Sequence, residues 1–326
     1  MKALLAAAMV GMTALSTLAS GEQPASKAKK TYTIGLVAKS QSNPVFIAAR
    51  TGANDAAKEL GEKLGVTIKI DWRTPVSEDA QKQAENIEQL VGAGADGIAV
   101  SCTDAKTLTG AINSAADKGV AVVTFDSDAP GSKRFAYYGS DDFAAGQMIG
   151  KELAKAMGNK GVVAILAGNQ TAPNLQGRVR GVKDALSKIE GIKILDTFYH
   201  AENPQDAVQK LEQVQGANPQ ISGWAMVGGW PLFTSGALNK VYPAAKTVAM
   251  DALPAQLTYV QEGQVEVLLG QKVYEWGYES VRLIMDKLIE NKQPKDPIIK
   301  ADLVAVTKAN AVEYGKNWDK WLGKGK

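Results

Sequence analysis

Val120–Gly150, VAVVTFDSDAPGSKRFAYYGSDDFAAGQMIG, is the stretch whose reading decides the fold. Ala121–Phe125 is a run of five apolar or β-branched residues, too few for a helix and the right length for a strand buried on both faces. Asp126-Ser127-Asp128 stops the run, and Pro130-Gly131 turns the chain. In an open parallel sheet, ligands bind outside the carboxyl ends of the strands, so Asp126 is placed to face a polar ligand. A short strand over Phe135–Gly139 then leads into Ser140-Asp141-Asp142, which can cap a helix starting at Phe143. Ser140-Asp141 reads as a hinge between two lobes.

The same grammar runs outward in both directions. Upstream, strands are expected at Thr33–Lys39, Ile68–Trp72 and Gly97–Ser101. Helices separate them: one capped by Asn43 with Pro44 at its first position, one capped by Ser77, and one over Asp104–Lys118. Downstream a second round begins, with strands at Val162–Gly168, Ile192–Tyr199, Gly223–Gly228 and Thr247–Met250. Its helices run from the loop Asn169–Asn174 to Leu186, from Pro204, and around Pro231–Lys240. Alternating strands and helices argue for parallel sheets, and two similar rounds argue for two lobes of one design. Val265–Gln271 reads as a further strand and Tyr274–Glu290 as a long amphipathic helix. A link over Gln293–Pro297, a strand at Leu303–Thr307 and a helix capped by Asn310 end the chain, and this tail is expected to pass back between the lobes.

At 326 residues the chain is long enough for two domains, and 45% hydrophobic with 22% charged residues is ordinary for a globular protein. A net charge of +3 without a long basic run argues against nucleic acid as a partner. Met1-Lys2 followed by the uncharged ALLAAAMVGMTALSTLA and then Ser20-Gly21 fits a secretory signal peptide over residues 1–21. The polar residues 22–30 read as a disordered leader. Cys102 is the sole cysteine, so no internal disulfide can form and no cysteine follows the signal to take a lipid. The mature protein is expected free in an extracytoplasmic space.

Catalytic signals are thin. His200 is the only histidine, no serine stands in a G-x-S-x-G elbow, and clustered metal-ligand spacing is absent; no metal or cofactor is expected. Gly92–Gly97 spells G-x-G-x-x-G but lies between a helix and the next strand, the reverse of the order a dinucleotide site needs. One enzyme reading stands as the alternative: Asp126-Ser127-Asp128 resembles the strand-end Asp-x-Asp of Mg²⁺-dependent phosphohydrolases, with Asp126 as nucleophile and Asp128 as acid/base. Against it, many polar residues fall after strands: Asn43 after the first, Asp126 and Ser127 after the fourth, then Asn174, Arg178, Asp251 and Gln271. A cleft between two facing sheets would gather them. Carboxylates, amides and an arginine suit hydroxyl groups, which both donate and accept, and rings such as Phe46 and Trp230 suit the C–H faces of a sugar.

Together, TIGLVAKSQSNPVF, GADGIAVSCTD, VAVVTFDSDAP, YYGSDDFAAGQMIG, NQTAPNLQGRVRGV, VAMDA and VLLGQ resemble the periplasmic binding proteins of sugar ABC transporters, type I, in the ribose- and glucose-binding branch. The resemblance runs in order through nearly the whole mature chain. It implies an α/β fold of two Rossmann-like lobes with parallel sheets, joined by a three-crossover hinge. The lobes would be residues 31–140 plus 272–301 and residues 141–271 plus 302–326. It implies a monomer that closes on a monosaccharide-like ligand and delivers it to a membrane permease, without catalysis. Asn43 matches the family's first-loop Asn, Phe46 its ring-stacking aromatic, Asp126 its strand-end Asp and Arg178 its second-lobe Arg. Asn174, Asp251 and Gln271 stand at further polar positions. The chain departs from ribose-type relatives at Lys39, where they have a small polar residue, and at Ser127, where they have Arg. Trp230-Pro231-Leu232-Phe233 replaces an Asn-Asp pair, so the resemblance leaves the sugar unnamed. Glu202, after the strand that ends at His200, is a further possible contact.

Overall fold

The computed structural model describes residues 29–324. The signal-peptide assignment and residues 22–28 of the leader lie outside the described residues. The leader's last two residues are held: Lys29 pairs with Asp96, and the Lys30 carbonyl accepts from the Thr67 N–H at 2.9 Å.

The first round is β1 (Thr31–Val37), α1 (Pro44–Leu64), β2 (Thr67–Trp72), α2 (Ala80–Gly92), β3 (Gly97–Val100), α3 (Ala105–Asp117), β4 (Ala121–Phe125) and β5 (Ala136–Ser140). The second is α4 (Asp142–Ala156), β6 (Gly161–Ala167), α5 (Pro173–Leu186), β7 (Ile192–Tyr199), α6 (Pro204–Ala217), β8 (Ile221–Met226), β9 (Lys246–Met250), α7 (Pro254–Gln261) and β10 (Val267–Gly270). The tail is α8 (Val273–Glu290), β11 (Ile298–Ala301), β12 (Val304–Val306), α9 (Ala311–Gly315) and α10 (Asn317–Trp321). Two six-stranded sheets result, ordered β11-β5-β4-β3-β1-β2 and β12-β10-β9-β8-β6-β7. All pairings are parallel except β10 with β12. The α/β, two-lobe architecture expected from the alternating pattern is present. The chain passes from one sheet to the other after β5, after β10 and after β11.

Burial follows position in the sheets. β3, β4, β5 and β10 are buried at every residue, because helices cover both faces of each sheet. The edge strands β2 and β7 alternate with exposed positions such as Thr67, Lys69 and Lys193.

The helices that follow the first two crossings are set by glycines. α8 crosses α1 where a Cβ on Gly277 would lie 1.8 Å from the Ala49 carbonyl oxygen and one on Gly52 2.0 Å from that of Tyr274. In the other lobe α4 crosses α5 with the same device: a Cβ on Gly146 would lie 2.0 Å from the Arg178 carbonyl oxygen, and one on Gly181 2.1 Å from that of Phe143. Only residues without a side chain let these backbones approach so closely.

Several local expectations are corrected. Asp79, not Ser77, caps α2, accepting from the Lys82 N–H at 2.9 Å. The stretch around Pro231–Lys240 is a short 3₁₀ turn over Trp230–Phe233 followed by turns, not a helix. Asn174 lies in the first turn of α5 rather than in the loop before it. Asn310 makes no side-chain cap; its Oδ1 accepts from the Thr307 N–H instead. β11 was not anticipated. The tail returns to both lobes: β12 joins the second sheet, while α10 packs on α1.

Candidate functional site

The carboxyl ends of both sheets face one another across a single interlobe cavity. From the first lobe it is lined by Lys39 after β1, Asn43 and Phe46 at the start of α1, and Asp126 after β4. From the second it is lined by Asn174 and Arg178 of α5, Trp230 after β8, and Asp251 after β9. Gln271, on the crossing between β10 and α8, lines it too. Nine of the ten residues singled out in the sequence are thus brought together. Ser127 is the tenth, and it does not line the cavity. Its carbonyl accepts from the Cys102 N–H at 2.9 Å, and its Oγ is buried and finds no hydrogen-bond partner among the described residues.

The sequence reading missed Glu78, Val45, Leu175 and Trp276 as lining residues and ranked Glu202 as marginal; all five line the cavity. Trp276 makes the apolar floor with Phe46, ring centroids 6.2 Å apart, and Phe125 backs it at 6.3 Å. It falls in the helix expected over Tyr274–Glu290, and no local signal pointed to the cavity. Trp230 lies edge-on to His200, centroids 5.3 Å apart.

Two aspartates hold equivalent places. Asp126 ends β4 and Asp251 ends β9, the fourth strands of their respective rounds, and both have left-handed backbones, φ 58° and 67°. The Asp126 N–H donates to the Tyr138 carbonyl at 3.1 Å, and the Asp251 N–H to that of Leu269 at 2.9 Å. Such strain, on the order of 1 kcal/mol or more per residue, persists where surrounding structure holds it, and here it aims a carboxylate into the cleft from each lobe.

Hydrogen bonds link the walls. Asp126 Oδ2 accepts from Ser101 Oγ at 2.7 Å and Oδ1 from Asn174 Nδ2 at 3.2 Å. Lys39 Nζ donates to Asn174 Oδ1 at 3.2 Å, so Asn174 bridges to two first-lobe residues. Arg178 donates from Nε to Asp142 at 2.9 Å, from Nη1 to the Val227 carbonyl at 3.2 Å and from Nη2 to Gln271 Oε1 at 3.1 Å. Gln271 Nε2 in turn donates to Asp251 Oδ1 at 2.8 Å. With the lobes drawn together this way the cavity measures about 30 Å³. That is room for one or two waters, so a ring-sized guest enters only when the lobes part.

Burial and neighbouring charges pull these groups in opposite directions. Burial lowers the Lys39 ammonium, but the carboxylates of Asp126, Glu202 and Glu78 outweigh it and hold the group above its ordinary value. Burial pushes Asp142 up to about 6 against the pull of Arg178, and raises Asp251 against Arg178 and the Gln271 amide.

Behind the first wall, Gln83 of α2 clamps two site loops. Its Nε2 donates to the carbonyls of Ala38 at 2.8 Å and Ser101 at 2.7 Å, and its Oε1 accepts from the Thr103 N–H at 3.0 Å. Gln256 of α7 does the same in the second lobe, tying Leu253, Gly229 and Met250. Gln83 is fully buried, so Gln83→Ala strands three backbone groups. We expect chemical denaturation to show a loss of about 2–4 kcal/mol; an unchanged midpoint would refute the clamp.

The alternative phosphohydrolase reading does not survive. Asp128 points away from the cavity, its Oδ1 taken by Thr124 Oγ1 and the Ala129 N–H and both oxygens bound by Arg134. Cys102 is buried, and burial pushes its thiol pKa up, leaving it inert.

The periplasmic binding protein domain profile matches residues 34–293. The chain belongs to this family, the sugar-binding solute receptors of ABC transporters, and is not an enzyme. Over 293 residues it is 26% identical to the D-ribose/D-allose-binding protein of Pseudomonas aeruginosa, covering 84% of this chain and 88% of that one. A 140-residue segment is 33% identical to the ribose import binding protein RbsB of Bacillus subtilis, spanning 43% and 44% of the two chains. Among solved structures, a solute-binding protein of Burkholderia graminis in complex with D-arabinose superposes with a TM-score of 0.80 at 27% identity, covering 87% of this chain and 98% of that one.

Proposed function

We propose that this protein captures a single monosaccharide-like ligand in the interlobe cavity, works as a monomer and hands the ligand to a membrane permease. The observation that carries this reading is the composition of the cavity wall. Asp126 and Asp251 offer acceptors, Lys39, Arg178 and the amides of Asn43, Asn174 and Gln271 offer donors, and Phe46, Trp230 and Trp276 offer flat apolar faces. Hydroxyls on a ring need both signs of hydrogen bond around their edge and apolar contact on their faces. Residues from both lobes touch such a ligand at once only when the lobes are closed, so binding shifts the population toward closure. Ser127, outside the lining, is proposed to act only by supporting the loop that carries Asp126. Export through the N-terminal signal is part of the same proposal.

A thermal-shift screen against pentoses, hexoses, deoxy sugars and polyols, D-allose and D-arabinose among them, tests it. A sugar at a hundred times its Kd stabilises by about 2.7 kcal/mol. The Asp126→Ala variant should stay folded and lose that shift. Stabilisation that persists in full would remove Asp126 from the site, and a flat response to every sugar would remove the reading.

A further inference from the structure

Glu78 and Glu202 meet across the mouth of the cleft. Glu78 lies between β2 and α2 in the first lobe, and Glu202 follows β7 in the second. Both line the inner cavity and also a larger outer basin of about 580 Å³, so they stand where one opens into the other. Glu202 Oε1 accepts from the Asn169 N–H at 2.9 Å. Glu78 Oε2 is buried, and among the described residues no donor reaches it. Glu202, which lines the same two spaces, faces it from the other lobe. Two carboxylate oxygens facing each other across the seam repel, and a proton on one of them turns the contact into a hydrogen bond.

We propose that the Glu78 carboxyl carries a proton in the closed form, donates it in a hydrogen bond to Glu202 across the seam, and so acts as a proton-operated latch on the cleft. This rests on the reading of the cavity as a ligand site that opens and closes. Opening separates the two side chains, returns Glu78 to water and releases its proton, so closure takes up a proton and opening gives it back.

The surrounding charges agree in direction. Burial raises Glu78 well above the usual carboxylate range, the Glu202 charge and hydrogen bond add to that, and Asp126 adds further; Lys39 opposes them and is outweighed. His200, on the Glu202 side of the basin, is lowered by burial and is therefore neutral near pH 7. Arg178 and Asp142 are bound to each other within the second lobe and move with it. A carboxyl whose closed-state pKa is raised favours closure fully below its ordinary value of 4.5, and that contribution is lost as pH rises through the raised value. Each unit of raising is a tenfold factor in the closed-to-open ratio.

The test needs no sugar. Spin labels at Glu88→Cys on α2 and Gln209→Cys on α6, both exposed, report the interlobe distance of the full chain, while buried Cys102 stays unlabelled. Between pH 5 and pH 8 the closed-to-open ratio should fall about tenfold or more. In Glu78→Gln the amide can donate to Glu202 at any pH, so the short distance should persist at both; Glu202→Gln should behave alike. A distance distribution that ignores pH in the parent, or a pH shift that survives in Glu78→Gln, would overturn the latch. Since no ligand is present, neither result depends on whether a sugar binds.

Discussion

Replacing Arg178 with alanine should lower affinity for any sugar the parent binds by about a hundredfold or more. Its side chain is 3% exposed and gives three of its five N–H donors to Asp142, the Val227 carbonyl and Gln271, which leaves two for a ligand. Hydrogen bonds to a charged group contribute about 1.5–3 kcal/mol each, so losing two ligand bonds reaches that factor. The fold also suffers, because truncating one partner of a buried ion pair costs about 3–5 kcal/mol. The sign of the pH effect follows. Asp142 is raised to about 6 even with the guanidinium beside it, so without Arg178 it rises further. A raised carboxyl stabilises the fold below its ordinary value and loses that contribution as pH climbs through the shifted one. Relative to the parent, the variant should therefore be less destabilised at pH 5 than at pH 8 in urea melts. Calorimetry showing parental affinity would take Arg178 out of the site. Arg178→Lys should rescue little, since an ammonium cannot reproduce the three-way fork.

Gly277→Val should be the most destabilising substitution in the first lobe. Ordinary contact distances would force α8 and α1 apart by roughly 1.5 Å at a point where a Cβ already lies 1.8 Å from the Ala49 oxygen. Overpacking of this kind costs about 3 kcal/mol or more when the obstacle is backbone. Function should fall with stability, since Trp276 precedes Gly277 and Phe46 lies on the facing helix, and the crossing sets the floor of the cavity. Gly110, also helical, has open space where its Cβ would be. Gly110→Ala should therefore stabilise by about 0.5–1 kcal/mol. Equal melting temperatures for the two variants would show that the crossing does not depend on the missing side chain.

What could be read directly was whatever depends on neighbours in the chain. The buried runs of β4 and β9, the Asn43-Pro44 cap and the polar residues that end each strand are local signals, and they sufficed for the two-lobe alternation and for nine of the residues around the cavity. The strand-end aspartates were legible because a parallel sheet always delivers its carboxyl ends to one side. Ser127 was read by the same rule and misplaced, since one residue past a strand end the backbone turn decides which way a side chain points.

Sequence alone determined the periodicity, the strand ends and the two rounds, because each rests on residues within a few positions of one another. Tertiary structure alone decided that β11 joins β5 and that Trp276 faces Phe46. It also decided that Glu78 meets Glu202, 124 residues apart by their numbering, across the seam. Those pairings carry no local pattern: Ile298–Ala301 is a half-exposed edge strand behind a proline, and Glu78 looks like any solvated acid in a polar loop. The first two arise because later crossings return distant segments of the chain to the first lobe, and the third because the two lobes close on one another.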